Sequence, residues 1–109
     1  VLYFTTDDIL MSSKIRDIGV FNVKNMGYRG KKNLIYMQLR VMRVKRDVSQ
    51  KELSARMQVM GFSMDQQTIS NIENNKRIVT DYELAGFCRA LHCTERELLA
   101  DYYEKYKEE

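Results

Sequence analysis

Three short motifs of the form Ser/Thr-x-x-Glu follow one another from residue 49 onward and constrain the fold more than any other feature. In such a motif the hydroxyl of the first residue and the carboxylate of the fourth each accept a hydrogen bond from a backbone N–H of the other residue, and this starts a helix. The three motifs are Ser49 with Glu52, Thr80 with Glu83, and Thr94 with Glu97. The chain has no proline and only five glycines. We therefore predict a helix-rich fold with helices starting at these motifs.

Apolar residues recur at helical spacing before and after Ser49, and this spacing predicts the first two helices. The first is expected over residues 33–46, broken by Asp47-Val48, and the second ends at Gly61, which suits a left-handed helix end. The apolar faces are Ile35, Leu39 and Met42 in the first helix, and Leu53, Met57 and Met60 in the second. Phe62 can supply the hydrophobic contact that often follows such an end.

The third helix lies in the most polar stretch, residues 63–77 (SMDQQTISNIENNKR). It starts after Ser63 or Asp65. A Ser63 cap would let Gln66 fold back in a capping box, whereas an Asp65 cap makes Gln66 the first helical residue, and we favour Asp65. The helix is expected to end at Asn74-Asn75, since asparagine tolerates the left-handed conformation.

The last two motifs start a fourth helix, which runs to about Leu91, and a final helix. The expected buried side of the fourth helix consists of Tyr82, Leu84, Ala85, Cys88 and Leu91. One side of the final helix carries Leu98, Leu99, Tyr102, Tyr103 and Tyr106. Five short helices with connections of about 2–6 residues predict an all-α fold, a compact five-helix bundle.

The length of 109 residues fits one domain. Residues 1–32 are expected to form an N-terminal arm or extension, with a short helix after Thr6, strand-like alternation from Ile15 to Val23, and a loop around Gly27 and Gly30. Residues 33–109 are expected to form the helical domain and its tail. No apolar run approaches the roughly 20 residues of a membrane span. The opening residues also lack the basic-then-apolar pattern of a signal peptide.

The net charge of +3 is distributed unevenly along the chain. Residues 1–32 carry six basic and three acidic side chains, residues 33–80 carry eight and four, and residues 81–109 carry four and eight. A basic surface on the first two parts favours a polyanionic partner, whereas the acidic tail does not. Ordinary solvated helix faces would give a similar distribution, so charge alone leaves the two interpretations balanced.

The sequence offers little for catalysis or metal binding. Cys88, His92 and Cys93 do not have a normal zinc spacing and lack a fourth ligand nearby, so the two cysteines are expected to be buried free thiols in a reducing cytosol. His92 is expected in the turn after the fourth helix. There is no nucleophile with a paired base and no phosphate-binding glycine loop. We therefore predict that the chain is not an enzyme and needs no metal or cofactor.

The polar face of the third helix carries the functional signal. Ile69 and Ile72 point to the core, which leaves an outer face of Gln66, Gln67, Ser70, Asn71 and Asn74. Amide side chains can bind a base edge through two hydrogen bonds, and adenine is the favoured partner. Basic residues surround this face: Lys51, Arg56, Lys76, Arg77 and Arg40. The alternative is a merely polar surface helix, but the separation of base-reading amides from phosphate-positioning charges favours DNA binding.

Three segments together resemble the Cro/phage-repressor (Xre-type) helix-turn-helix family of DNA-binding proteins. They are LRVMRVKRDVSQKEL, TISNIENNKR and YELAGFCRALHCTERELL, and the likeness covers about Leu34 to Leu99. The ordered set S-Q-x-E-L, T-I-S-x-I-E-N-x-K-R and A-L-x-C-x-x-x-E-L-L is quite specific. The resemblance implies a helical bundle whose third helix enters the major groove.

The resemblance also implies roles for individual residues. Base-reading positions of the family correspond to Gln66, Gln67 and Asn71, and Ser70 lies on the same face. Phosphate-contacting positions correspond to Gln50, Thr68, Asn74, Lys76 and Arg77, with Lys51 on the basic rim. Gln50 would also brace the reading helix. Arg43 and Glu73 correspond to a semi-buried salt bridge between the first and third helices, whose loss on one side would cost about 3–5 kcal/mol if the pair is buried.

Two departures from the family pattern are expected to affect the geometry. The stretch between Ser49-Gln50 and Thr68 is about five residues longer than in the compact pattern, and we expect it to lengthen the second helix by a turn before Gly61. The usual glycine after the third helix is replaced by Asn75.

These features predict a cytoplasmic, sequence-specific, double-stranded DNA-binding transcriptional regulator, specifically a repressor that binds a two-fold operator as a homodimer. The tyrosines of the final helix are a candidate dimer surface, although packing against residues 1–32 would explain them equally well. A protein-interaction module, such as an antitoxin-like or regulator-binding subunit with the same fold, is the alternative. No membrane partner is expected.

Overall fold

The computed structural model of the protein describes residues 27–106, and all six regular elements in that range are α-helices. They are α1 (Tyr36–Lys45), α2 (Gln50–Val59), α3 (Gln66–Glu73), α4 (Asp81–Leu91), α5 (Glu95–Leu98) and α6 (Ala100–Tyr106). The all-α prediction is therefore confirmed. The expected final helix is divided at Leu99 into α5 and α6, so the described part has six helices rather than five. The helix and strand pattern expected within residues 6–23 lies outside the described range.

The predicted helix starts are observed. Thr80 with Glu83 and Thr94 with Glu97 form reciprocal capping boxes at α4 and α5. Ser49 caps α2 by accepting a hydrogen bond from the Glu52 backbone N–H. The carboxylate of Glu52 bonds the Arg56 guanidinium one turn later at 3.0 Å, so the reciprocal half of the expected Ser49 box is not formed.

Four helices end at a residue with positive φ. These residues are Asp47, Gly61, Asn75 and His92, after α1, α2, α3 and α4 respectively. At each position a backbone N–H just beyond the helix returns to a carbonyl of its last turn, as in the bond from Phe62 N to Met57 O at 3.0 Å. These bonds satisfy carbonyls that the helix end leaves free. Gly61 ends α2 as predicted, and the ten-residue α2 precedes it.

The core is formed where α1 to α5 meet. Its fully buried side chains include Leu39, Leu53, Met57, Ile69, Ile72, Phe87, Leu91 and Leu98. The buried faces predicted for the first two helices are observed, with Met60 partly buried at the rim.

The buried side expected for α4 was wrong at two positions. Tyr82 and Ala85 are exposed, and Phe87 and Ala90 are buried instead. The Tyr82 ring stacks on Phe62 outside the core, with ring centroids 6.3 Å apart. The buried face of α4 thus differs from the face predicted from apolar spacing, because it includes Phe87 and Ala90 and leaves out Tyr82 and Ala85.

Two arginines, one at the end of α1 and one in α2, bind the C-terminus of α4. Arg46 donates to the carbonyls of Leu91 and His92, and Arg56 donates to the carbonyl of Ala90 at 2.8 Å. Guanidinium groups at this position satisfy free carbonyls and oppose the negative end of the helix dipole. Among the described residues, no helix has the length and apolar character required to cross a membrane.

Candidate nucleic-acid interface

The third helix turns one apolar face inward and a polar face outward. Ile69 and Ile72 are fully buried, whereas Gln66 and Gln67 are exposed. Ser70 and Asn71 are partly exposed. The two isoleucines therefore anchor α3 against the core while its amides and hydroxyl remain accessible from solvent.

The helix starts at Asp65, so Gln66 is its first residue. The Asp65 carboxylate accepts two hydrogen bonds from Thr68, one from the backbone N–H and one from the hydroxyl, both at 2.8 Å. These bonds lower the pKa of Asp65 below its ordinary value because they favour the charged form. The Ser63 alternative is not adopted, and Gln66 is not folded back into a capping box with Ser63.

The connection between α2 and α3 is held against α2 by polar contacts. The buried hydroxyl of Ser54 donates to the Met64 carbonyl at 2.9 Å, and the Gln58 amide donates to the same carbonyl at 2.9 Å. The Met64 side chain is itself buried in the core. The longer connection is therefore an ordered structural segment, and its geometry fixes where α3 begins relative to α2.

The first residues of α2 and α3 lie beside each other. A cleft in this part of the surface is lined by Gln50, Gln66, Gln67 and Ser70. Gln50 comes from α2 and the other three side chains from α3. The packing of the two helices thus brings one predicted phosphate-binding residue next to three predicted base-reading residues.

Glu73, at the end of α3, joins three helices. Its side chain is fully buried and accepts hydrogen bonds from Arg43 Nε at 2.7 Å and Arg43 Nη2 at 3.0 Å. Arg40 Nε at 3.4 Å and Gln50 Nε2 at 3.1 Å complete the set. Burial alone would raise the pKa of Glu73, but these bonds outweigh it and hold the pKa below its ordinary value. The Arg43–Glu73 contact is the ion pair expected between α1 and α3.

Several predicted site residues bond to one another. Gln67 Nε2 donates to Asn71 Oδ1 at 3.1 Å. The Asn74 amide donates to the Ser70 carbonyl at 2.9 Å and accepts from Arg40 Nη2 at 3.3 Å. The amides of Gln67 and Asn71 therefore keep outward hydrogen-bonding groups, whereas Asn74 has both ends engaged.

The cationic side chains predicted to contact phosphates differ in whether they are already engaged within the protein. Lys51 and Lys76 are exposed. Arg77 forms two hydrogen bonds with the Glu83 carboxylate, at 3.1 and 2.9 Å, and a third with the Ile78 carbonyl. These contacts outweigh the effect of burial and lower the pKa of Glu83. Arg77 is thus already committed to an ion pair that links the α3–α4 loop to α4.

Sequence reasoning missed the role of Asn33. This buried side chain donates to the carbonyls of Ile72 and Arg77 at 3.0 and 2.9 Å, and accepts from the Ile35 N–H at 3.0 Å. An asparagine just before an apolar helical run is a signal for a helix start. Its partners, one in the last turn of α3 and one after it, have no such signal because they lie about forty residues away.

Residues before α1 also contact the end of α3. The Asn75 side chain accepts from Lys32 N at 2.7 Å and donates to the Gly30 carbonyl at 3.4 Å. Tyr28 and Lys31 form an isolated antiparallel bridge. The replacement of the usual glycine by Asn75 therefore adds a side chain that holds this turn against the helix.

The cysteine and histidine residues form no metal site in the described range. Cys88 is buried and Cys93 partly buried, and both are free thiols. Burial raises the pKa of Cys88 to about 12, so this thiol remains protonated and unreactive near neutral pH. His92 occupies the left-handed position after α4, in the turn where it was expected.

An α2–turn–α3 unit with an outward amide face on α3 defines a DNA-binding helix-turn-helix protein. The model of the helix-turn-helix family matches residues 39–98, which is more than half of the chain. The protein belongs to this family, of the Cro/phage-repressor type. A search of curated proteins gave no match.

Proposed function

We propose that the protein is a sequence-specific regulator of transcription, a repressor that reads double-stranded DNA by inserting α3 into the major groove. The observation that carries the proposal is the exposed amide face of α3 above the buried Ile69 and Ile72. Amides and hydroxyls recognise base edges by hydrogen bonds, whereas a surface meant only for phosphates would be charged. Membership of the helix-turn-helix family also supports DNA binding.

In this proposal the site residues divide into two groups. Base edges are read by Gln66, Gln67, Ser70 and Asn71. Phosphates are contacted by Gln50, Lys51, Thr68, Asn74, Lys76 and Arg77. Arg77 would contribute from within its ion pair with Glu83, so its effect on DNA affinity should be smaller than that of Lys76.

We further propose that the protein acts in the cytoplasm as a homodimer. Two copies on a two-fold operator would place their α3 helices in major grooves one helical turn apart, about 34 Å. Within α6, the Tyr102 ring lies against the Tyr28 ring, with ring centroids 6.1 Å apart. This contact supports packing of α6 on the residues before α1. Tyr103 is exposed at 40% and is the better candidate for a dimer contact.

Selection of bound duplexes from a random library tests the proposal directly. We expect enrichment of a sequence with two-fold symmetry and half-sites separated by one helical turn. A single enriched half-site would contradict the dimer, and no enrichment over the starting library would contradict sequence-specific binding.

Two alanine variants separate the proposed groups. Gln67→Ala should cost about 1–3 kcal/mol at the selected site and relax the base preference there. Gln50→Ala should weaken binding to all duplexes alike. Equal loss on every sequence for Gln67→Ala, or a changed base preference for Gln50→Ala, would reverse the assignment.

A protein-interaction module is the second candidate, and an apolar stripe on α1 favours it. Met37, Val41 and Val44 share one face of the helix and are 55%, 48% and 64% exposed. The two candidates differ in their response to salt. DNA binding through several phosphates should weaken steeply as salt concentration rises, whereas association through an apolar stripe should change little. Titration of a labelled duplex from 50 to 200 mM salt, a range of roughly fourfold, distinguishes them.

A further inference from the structure

Gln67 and Asn71 lie one turn apart on α3 and are joined by a hydrogen bond from Gln67 Nε2 to Asn71 Oδ1 of 3.1 Å. We propose that this amide pair acts as a single reader of two neighbouring bases. The base opposite Gln67 is adenine, and the base opposite Asn71 is a keto base, guanine or thymine. The inference rests on the proposed function, because it specifies which DNA the proposed reading face recognises.

The preference for adenine follows from the hydrogen-bonding groups that Gln67 retains. A glutamine amide has two N–H donors and one carbonyl acceptor, and the contact with Asn71 uses one donor. The carbonyl and the second N–H remain. In the major groove adenine presents an amino donor at N6 beside an acceptor at N7, which matches one acceptor and one donor on the same amide.

The preference for a keto base follows from what Asn71 retains. Its Oδ1 is engaged by Gln67, whereas neither N–H of its amide has a partner among the hydrogen bonds of the described residues. Asn71 therefore presents mainly donors. Guanine presents two acceptors, N7 and O6, and thymine presents O4, whereas adenine presents one acceptor, N7, beside an amino donor and cytosine presents only an amino donor.

The two amides depend on each other for their orientation. Each of the free side chains has several rotamers, and fixing them on binding costs free energy. The internal hydrogen bond is exposed and favours one arrangement of the two amides before DNA arrives, and such bonds between residues four apart also support the helix. Removal of either partner should therefore weaken the base preference of the other.

Two other polar side chains in and just after α3, those of Thr68 and Asn74, are engaged with different partners and take no part in the pair. Asn74 donates to Ser70 and accepts from Arg40, and the Thr68 hydroxyl donates to Asp65. Their hydrogen bonds are made within the protein. Gln66 is exposed and forms no bond with Asn71, so it provides a matched control on the same face.

The decisive variant is Asn71→Asp, which keeps an oxygen acceptor for Gln67 but replaces the donor group by a second acceptor. In selections from a random duplex library, Asn71→Asp should keep adenine opposite Gln67. At the neighbouring base, opposite position 71, the preference should change from a keto base to an amino base, cytosine or adenine. Asn71→Ala should lose the keto preference and also weaken the adenine preference. Retention of the keto base by Asn71→Asp would overturn the inference, and so would an unchanged adenine preference in Asn71→Ala.

A double-mutant cycle, with binding measured on the selected duplex, shows how far Gln67 and Asn71 depend on each other. Gln67→Ala and Asn71→Ala should each weaken binding by roughly tenfold. The double variant should lose less than the product of the two single losses, since each single change already removes the shared bond. The corresponding cycle for Gln66→Ala with Asn71→Ala should be multiplicative. A multiplicative result for Gln67 with Asn71 would show two independent readers.

Two controls keep the outcomes distinct. Circular dichroism melting of every variant establishes that it is folded, and if an alanine variant is not, the Asn71→Asp selection still decides. If the unaltered protein selects no duplex, the proposed function fails. If it selects a defined site but the variants behave independently, only the amide-pair inference fails.

Discussion

Glu73 is a buried carboxylate that meets side chains from two other helices at one point. Arg43 and Arg40 come from α1, and Gln50 comes from the first turn of α2. A buried carboxylate without partners would carry a large desolvation cost, and these donors offset it. Because Glu73 belongs to α3, the same contacts hold the reading helix in a fixed orientation relative to α1 and α2.

Loss of this carboxylate should be strongly destabilising. Glu73→Ala leaves the Arg43 guanidinium, whose side chain is only 13% exposed, without its main partner, and should lower the free energy of unfolding by about 3–5 kcal/mol. Urea denaturation measures the change. Glu52→Ala removes the exposed partner of Arg56 and should cost about 0.5 kcal/mol or less. Similar losses for the two variants would show that Glu73 is not the buried anchor described above.

At the scale of the helix, the start and the end are specified by different kinds of residue. Starts depend on a side chain that accepts backbone N–H groups, as Asp65 does for α3. Ends depend on one residue that accepts a positive φ, as Asn75 and His92 do. These end residues also make different tertiary contacts, so substitutions at residues with the same backbone conformation should change the stability of the fold by different amounts.

Asp65 caps α3 but places a negative charge at the end that would approach DNA. Asp65→Ser should keep the cap, because serine also accepts from the helix N–H groups. It should tighten DNA binding at low salt, and the gain should shrink as salt rises because the repulsion is screened. Duplex titrations at two salt concentrations test this expectation. Removal of an exposed charge elsewhere, Glu95→Gln in α5, is the control; an equal gain there would indicate a general charge effect.

Asn75 and His92 have nearly the same backbone conformation, with φ of 61° and 52°. Glycine adopts this conformation without the steric cost of a Cβ, so His92→Gly should stabilise the fold by about 0.5–1 kcal/mol. Asn75→Gly should instead destabilise it by about 1 kcal/mol, because it removes the 2.7 Å bond from Lys32 N. Thermal unfolding of both variants tests the sign, and stabilisation by Asn75→Gly would show that the contact contributes little.

At the scale of the whole molecule, two shielded carboxylates connect separate elements of the fold. Glu73 joins α3 to α1 and α2, and Glu83 joins α4 to Arg77 in the preceding loop. Both pKa values lie below the ordinary value of 4.5. Folding therefore favours the charged form of both groups.

Acid should consequently destabilise the fold in part through these two sites. A lowered pKa in the folded state contributes stability that is fully present above the unfolded value of 4.5 and is lost as the pH falls through and below it. Urea denaturation across this acidic range should show a falling free energy of unfolding. Glu83→Gln cannot be protonated, so its curve should fall less steeply. An identical pH dependence in the variant would exclude Glu83 as a contributor.

Local signals in the sequence predicted much of the fold. Ser49, Thr80 and Thr94 start helices where expected, and Gly61 ends one, because capping and backbone conformation depend on neighbours within one turn. The choice of Asp65 over Ser63 followed from the same local reasoning.

Contacts between distant residues were harder to predict. The ion pair of Arg77 with Glu83 was not predicted. Tyr82 was expected in the core, but the inner side of α4 carries Phe87. The division of the final helix at Leu99 was also not predicted. Each of these features depends on which surface of a helix meets its neighbours, and apolar spacing specifies that surface only approximately.

The sequence by itself therefore determined most of the helices, most of their ends and the polar character of α3, since these depend on interactions within a few residues. Only the tertiary structure decided which of the polar groups already have hydrogen-bond partners within the protein. It joins Glu73 to Arg43 and Gln50, which lie 30 and 23 residues away in the sequence, and it places Arg77 against Glu83, six residues further on. The physical reason is that a hydrogen-bonding group to which the folded chain has already supplied a partner must share or exchange that partner in order to bind DNA.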